Sequence, residues 1–414
     1  MQPQKIKKYL RIYRDGLLKD NIPFWQERAP DRKCGGFFTF LDRTGAVYGT
    51  DKPVWIMGRA AWLFARLYNA VEKRREWLKL AEGGIDFLEK HCFDSDGRMF
   101  FMVTRSGKPL RKRQYLFSET FCAIAFAEYA IASGRAEYAA RAENLFRLIL
   151  RYHNTPGLLK SKTRPGTRRM KGHSMPMILL ATAQVLRRAG DKDIYRETID
   201  DTVFQLERHF LKPEFNALLE SVGPRGEFLD EPAGRVINPG HAIETSWFLM
   251  EEARFRSDKK LLALALKILD WSLEWGWDHK YGGIFYYRDC RNRPCEQYEH
   301  DMKLWWPHNE AIYATLLAHF LTGDTKYATW HARIHAWAYR RFPDRKYGEW
   351  FGYLHRDGTV SSTCKGNAWK GMFHVPRMLL NCWKLLEEAA ADKAVNPHFT
   401  RFACEMRPLG FDAP

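Results

Sequence analysis

The apolar positions of the chain recur in a helical pattern. In RAAWLFARLYNAV they stand at 62, 63, 64, 67, 68 and 71, one face of a helix. Segments of this kind come in pairs, as in FCAIAFAEYAIAS followed by AARAENLFRLILRYH. Ahead of each pair runs a glycine-rich, aromatic stretch: GGFFTFLDRTGAVYGTDKP (35–53), DGRMFFMVTRSGKPLRKRQ (96–114), PGLLKSKTRPGTRRMKG (156–172), LLESVGPRGEFLDEPAGRVINPG (218–240), GGIFYYRDCRNRPCEQYEHDMK (282–303) and GEWFGYLHRDGTVSSTCKGN (348–367). Taking Gly36, Gly97, Gly157, Gly223, Gly283 and Gly348 as markers, the spacings are 61, 60, 66, 60 and 65 residues. Many of these stretches place an apolar run, a D-x-x-G or D-G turn and a second short run in order, which predicts a small β-hairpin.

Six units therefore follow one another, each a hairpin loop, a helix, a reversal and a second helix. Open helical-repeat scaffolds use shorter units, of about 34 to 47 residues with short polar turns. Six helix pairs cannot bury their apolar faces singly, and joining them in a ring removes the exposed ends. The predicted fold is all-α, an (α/α)6 barrel with hairpins at its mouth. It would form a single domain over residues 1–414, with 391–414 as a C-terminal tail.

Composition narrows the class. Of 414 residues, 45% are hydrophobic and 28% charged, as in a soluble globular protein. The aromatic share of 14% suits both a large core and a carbohydrate cleft. No apolar run approaches the ~18 residues of a membrane helix. MQPQKIKKYLRIYRDG has no hydrophobic block before a cleavage site, so no secretory signal is expected and the cytoplasm is the expected compartment. The eight cysteines lack C-x-x-C spacing and read as reduced thiols, with Cys290 and Cys295 near enough in sequence to pair. A net charge of +17 is spread along the chain, densest at 108–113 and 160–171, without a nucleic-acid motif.

In a ring, the six loop-to-helix junctions converge on one mouth. They carry Arg59, Glu119, His173, His241, Trp306 with Glu310, and His374, charged or imidazole groups where a core would demand apolar ones. Structural readings stand beside these: Arg59 paired with Glu244 or Glu310, Glu119 as a helix cap beside Ser118, His173 as a structural histidine, and His374 as a core imidazole bonded to backbone. His331 and His335 have the i, i+4 spacing of a zinc pair but lack the glutamate of H-E-x-x-H. His300 and His308 flank a tryptophan pair without a ligand spacing that selects a metal. No phosphate loop, dinucleotide fingerprint or nucleophile elbow is present, and no metal is expected. Two histidines, an arginine, two glutamates and aromatic rings suit proton transfer on a neutral polyol. Glycoside hydrolysis by Glu244 and Glu310 would leave the histidines unexplained.

NPGHAIETSWFLMEEA, KLWWPHNEA, KGNAWKGMFHVPR and GGFFTFLDRTG…KPVWIMGRAAWLFARLY resemble signatures of the N-acylglucosamine 2-epimerase family, in order from about residue 10 to 390. The resemblance implies an (α/α)6 barrel, usually dimeric, that interconverts sugars at carbon 2 without a metal. Its catalytic set would be His241, His374, Arg59, Glu244 and Glu310, with Trp305 and Trp306 as an aromatic platform and Glu119 and His173 completing the substrate-facing set. The implied mechanism opens the sugar ring, removes the C2 proton to give a cis-enediolate, and returns a proton to the other face. Glu244 would tune His241, and Glu310 would support His374. KGHSMPMILLATAQVL, with Pro176, resembles the branch acting on N-acetylglucosamine and N-acetylmannosamine. In that branch ATP commonly acts as an activator, through a basic loop that here offers Lys108, Arg111 and Arg113. The alternatives are a cellobiose or mannose 2-epimerase, an aldose–ketose isomerase, or a non-catalytic binding protein.

Overall fold

Helices follow one another in pairs, as the apolar pattern demands. The computed structural model describes residues 1–160, 164 and 166–391. Its helices are α1 (Pro3–Asp15), joined through a π-helical stretch (Gly16–Asn21) to α2 (Ile22–Arg28), then α3 (Val54–Ala70), α4 (Arg75–His91), α5 (Phe117–Ser133), α6 (Ala136–Asn154), α7 (Ser174–Arg187), α8 (Asp193–Gln205), α9 (Pro239–Arg256), α10 (Lys259–Gly276), α11 (Trp305–Thr322), α12 (Thr325–Arg341) and α13 (His374–Ala391).

Two kinds of helix alternate. In α5, FSETFCAIAFAEYAIAS, fourteen residues are buried and the helix is apolar nearly all round. In α4 only one stripe is buried, through Trp77, Ala81, Gly84, Ile85 and Leu88. The first kind (α3, α5, α7, α9, α11, α13) packs side by side in chain order as an inner ring, and α4, α6, α8, α10 and α12 each cover the inner helix before them. The fold is an (α/α)6 barrel. At its seam, the Trp62 ring of α3 meets Phe373 at 5.3 Å between centroids, and Trp55 Nε1 donates to the Ala368 carbonyl at 3.1 Å.

The sixth pair departs from the expected order. The outer partner of α13 is not a following helix but α1, from the opposite end of the chain. The buried Tyr13 reaches across, its hydroxyl 2.8 Å from His331 Nε2 and 3.0 Å from His335 Nδ1. The i, i+4 histidine pair is thus a structural socket for the N-terminal segment.

Among the described residues, paired strands form within the first, second and sixth glycine-rich stretches, for instance Met102–Val103 against Pro109–Arg111 and Tyr353–Leu354 against Val360–Ser362, whereas strands of the third and fifth pair with the fourth. Strands leading into inner helices pair with the hairpin of the next repeat: Lys52–Pro53 with Met102–Val103, and Lys303–Leu304 with Tyr353–Leu354. Five of the six marker glycines have left-handed φ, from 66° at Gly36 to 87° at Gly157. Gly223 does not; its turn uses Gly226, at φ 90°.

One device recurs three times beneath these hairpins. An aspartate just after an outer helix holds a fully buried lysine just before the next inner helix, and an arginine from the neighbouring repeat's hairpin closes on the same carboxylate. The triplets are Asp31 with Lys52 (3.0 Å) and Arg105 (2.9 Å), Asp278 with Lys303 (3.1 Å) and Arg356 (2.9 Å), and Asp344 with Lys365 (3.0 Å) and Arg43 (2.8 Å). In the third, Arg43 belongs to the first repeat and Asp344 to the last, so the triplet spans the seam. In each cluster the buried carboxylate and lysine pair off, and the arginine, 40–43% exposed, leaves its charge to solvent.

Residues 392–414, which hold most of the expected tail and Cys404, lie outside the described residues, as do 161–163 and 165 of the second basic run. The seven described cysteines are all unpaired, Cys290 and Cys295 included. Among the described residues no helix is long and apolar enough to cross a membrane.

Candidate active site

Inner helices α9, α11 and α13 begin with the residues that the motifs single out. Pro239 opens α9, and the Asn238 side chain caps it by accepting from the His241 amide at 3.0 Å. Trp305 is the first residue of α11 and His374 the first of α13. Their side chains enter a cavity of about 1310 Å³ within the barrel, where Arg59, His241, Glu244, Trp305, Trp306 and His374 all form part of the wall.

Trp306 stands between the two histidines, its ring centroid 5.1 Å from His241 and 5.7 Å from His374. Gly240 makes room for it, since a Cβ there would lie 2.6 Å from the indole. Each imidazole has its own carboxylate on Nδ1. His374 Nδ1 lies 2.7 Å from Glu310 Oε1. Arg377 donates to that same oxygen at 2.8 Å and also to Glu244, while Trp247 Nε1 donates to Glu310 Oε2 at 2.8 Å. With both Nδ1 atoms engaged, Nε2 is the nitrogen on each ring left to carry a proton.

Behind His241 the arrangement differs from the sequence expectation. Its hydrogen-bonding carboxylate is Glu220, with Oε1 at 3.0 Å and Oε2 at 3.1 Å from Nδ1, and not Glu244. Glu244 is turned to Arg377 because the helical step from 241 to 244 carries it toward α13. Glu220 precedes the strand Ser221–Val222, which pairs with Lys171–Gly172. That pairing brings His173 to the same carboxylate, Nδ1 to Oε2 at 3.7 Å. His173 is buried, holds Thr245 Oγ1 at 2.9 Å through Nε2, and stands behind His241 rather than in the cavity wall.

Electrostatics set the two imidazoles apart. Burial works against the charge on His241, but Glu220, then Glu244 and Glu310, outweigh it and raise its pKa. His374 is held well below the ordinary value, first by burial and then by Arg59 and Arg377. Glu220 is partly buried, and desolvation alone would raise its pKa, yet His241 and His173 bring it down to about 2. Arg59 is nearly buried, with its guanidinium 4.1 Å from the Trp55 centroid, 4.0 Å from Phe121 and 4.4 Å from Phe373. Its Nε has no hydrogen-bond partner, and Glu244 and Glu310, the expected partners, act on it through charge. A cation clamped by aromatic faces with an unsatisfied donor is suited to an oxygen that gains negative charge.

Glu119 corrects another expectation. It is fully buried, accepts from Arg98 Nε at 2.5 Å and from the Met99 amide at 2.9 Å, and lies outside the cavity wall; it fastens the second hairpin to α5. Lys108 and Arg111 are exposed on that hairpin. Arg113 lies at the cavity rim, 4.2 Å over Phe101 and 5.2 Å from the ring of Trp369, a cavity-wall residue. Arg377 and Glu220 lie in motifs quoted above yet carried no expected role; Arg377 follows His374 by one helical turn, which a helix-face argument reaches, whereas Glu220 has no such signal. Among the described residues two three-residue groups of metal-ligand type result, Glu244–Glu310–His374 and His173–Glu220–His241, each with its ligand atoms within 4.8 Å of one another.

The family model described as N-acylglucosamine 2-epimerase (GlcNAc 2-epimerase) matches residues 36–376. This chain belongs to the N-acylglucosamine 2-epimerase family. The bovine (Bos taurus) N-acylglucosamine 2-epimerase is 36% identical over 394 residues, 92% of this chain and 93% of the relative. The human (Homo sapiens) N-acylglucosamine 2-epimerase is 35% identical over 88% of this chain and 87% of its own. Among solved structures, the cellobiose 2-epimerase of Bacillus thermoamylovorans superposes with a TM-score of 0.80 at 20% identity, over 91% of this chain and 99% of that one, a likeness of fold. Membership of this family makes the protein an isomerase, of the epimerase type.

Proposed function

We propose that the protein interconverts N-acetylglucosamine and N-acetylmannosamine by proton transfer at C2. The observation that carries this reading is a pair of imidazoles flanking one indole in one cavity, each backed on Nδ1 by its own carboxylate. The sugar enters as its open-chain aldehyde. Nε2 of one histidine takes the proton from C2, the C2 electron pair moves into the C1–C2 bond, and negative charge gathers on O1. Arg59, part of the cavity wall, offers its guanidinium charge to that oxygen. Nε2 of the other histidine then protonates C2 from the opposite face, and the charge on O1 returns to the carbonyl. Each imidazolium is stabilised in turn, by Glu220 or Glu310, so the reverse reaction uses the same pair with roles exchanged.

The 36% identity to an N-acylglucosamine 2-epimerase supports the N-acetylated substrate over cellobiose or mannose. Unpaired cysteines support a reducing, cytoplasmic setting. A homodimer belongs to the same proposal, as does activation by ATP at Lys108, Arg111 and Arg113, which share one hairpin and the segment after it. The test is proton NMR of the protein with N-acetylglucosamine in D2O, with and without ATP, beside mannose and cellobiose. N-acetylmannosamine carrying deuterium at C2 is the expected product. Turnover of cellobiose or mannose alone would overturn the substrate, and epimerisation without deuterium uptake would overturn the mechanism.

A further inference from the structure

His173, Glu220 and His241 converge in a way that the proton transfer does not require. His173 Nε2 lies 2.9 Å from Thr245 Oγ1, and its other ring nitrogen, Nδ1, faces Glu220 Oε2 at 3.7 Å. Nδ1 of His241 lies 3.0 Å and 3.1 Å from the two oxygens of the same carboxylate. In a tetrahedral zinc site with bonds of about 2.0–2.1 Å, neighbouring ligand atoms lie about 3.4 Å apart. Each nitrogen lies 3.0–3.7 Å from the carboxylate, and all three ligand atoms lie within 4.8 Å of one another, so a small closing of the group reaches that arrangement.

The three side chains are also held there. The His173 amide donates to the Glu220 carbonyl at 2.9 Å, the Glu220 amide donates to Val236 at 2.9 Å, and His241 is fixed by the Asn238 cap. Thr245 Oγ1 holds the far nitrogen of His173 at 2.9 Å, as a supporting partner does for a ligating imidazole. The other group, Glu244–Glu310–His374, already has its cation, because Arg377 bonds both of its carboxylates. Around Glu220 the leading stabilising charges are the two imidazoles alone.

We infer that His173 Nδ1, Glu220 and His241 Nδ1 form an inhibitory site for a divalent transition ion of the Zn²⁺ class. Binding displaces the proton shared between His241 and Glu220 to solvent, and the metal takes the His241 lone pair. His241 then no longer cycles between imidazole and imidazolium, and epimerisation stops. Two nitrogens and one carboxylate favour Zn²⁺ or Co²⁺ over Mg²⁺ or Ca²⁺. The inference rests on the proposed catalytic use of His241 for its effect on rate, but not for binding.

The experiment takes the full chain, stripped with chelator and desalted, and titrates it with Co²⁺ alone, reading the visible absorption. One equivalent of an intense band typical of four or five ligands is expected, without sulfur-to-cobalt charge transfer, and Zn²⁺ should displace it. Glu220→Gln and His173→Gln, checked by thermal melting to be folded, should each abolish the band. On the epimerase assay, Zn²⁺ should inhibit the unaltered protein, Mg²⁺ should not, and His173→Gln should need at least about tenfold more Zn²⁺. No saturable band, a band retained in both variants, or equal Zn²⁺ sensitivity in His173→Gln would overturn the site. A band lost in both variants from a protein with no epimerase activity would uphold the site and sink the proposed function instead.

Discussion

Asp344→Asn probes the triplet that spans the barrel seam. Lys365 and Asp344 are buried, with nitrogen and oxygen 3.0 Å apart, and the ammonium has one further contact at 3.3 Å to the Glu349 carbonyl. At an effective dielectric of about 20, their gross attraction is about 5 kcal/mol, and losing one member of a buried pair costs about 3–5 kcal/mol. With an unfolding entropy of about 2.1 cal/mol/K per residue, a chain of 414 residues turns that loss into a fall in Tm of about 3–6 °C. Urea unfolding gives the free energy directly. Burial holds Lys365 at a pKa of about 8, against the pull of Asp344 and below the unfolded value near 10.4. The unfolded chain therefore binds more protons across that window, so stability rises with pH through it. In the variant the opposing carboxylate is gone, and the deficit should shrink as pH is raised toward 10. Arg43→Met removes only the exposed partner of the same carboxylate and should cost less than Asp344→Asn. A cost for Asp344→Asn no greater than that of Arg43→Met, or losses for Asp344→Asn and Lys365→Met that simply add in the double variant, would refute the reasoning.

Three further outcomes follow. His241→Gln and His374→Gln should each lower kcat by about 10²–10⁴ while leaving the melting curve near that of the unaltered protein, measured by the NMR assay. Gly240→Ala should push Trp306 out of place, its Cβ meeting the indole at 2.6 Å, and cut turnover while urea unfolding keeps its slope. Acid should destabilise the fold through His308, whose Nδ1 donates to Leu304 at 2.6 Å and whose Nε2 accepts from Ile284 at 2.9 Å, a pattern only the neutral ring can make. Burial, first of its causes, brings the folded pKa to about 3 against about 6.5 unfolded, so stability is full above pH 6.5 and falls as pH drops toward 3, and His308→Gln should flatten that fall.

Much of this architecture was legible in the chain because it repeats. A turn glycine every sixty or so residues and a helix apolar on one face or all round are local signals, and local signals survive in one dimension. GHAIE and FHVPR likewise placed His241 and His374 at the first turns of inner helices, where the structure has them. Glu220 was not legible. It stands 21 residues before His241, and only the pairing of Ser221–Val222 with Lys171–Gly172 aims it, a contact that no periodicity encodes. Glu244 was half legible: helix spacing brings it near enough to raise the His241 pKa, but its hydrogen bond goes to an arginine on another helix. The seam triplet and the role of α1 were hidden because their partners are about 300 residues apart, Arg43 with Asp344 and Tyr13 with His331.

That last pairing bears on how the molecule is made. α1 leaves the ribosome early, while α13, the helix it covers, begins 359 residues after Asp15. At about 5–20 residues per second of synthesis, the amphipathic face of α1 waits roughly 20–70 s for its partner. Five helix pairs can assemble during translation in the order they emerge. The sixth cannot, and through that interval the growing chain carries two uncovered edges at once. Chaperone capture should therefore concentrate on nascent chains stalled just short of α13 and fall away once it has emerged.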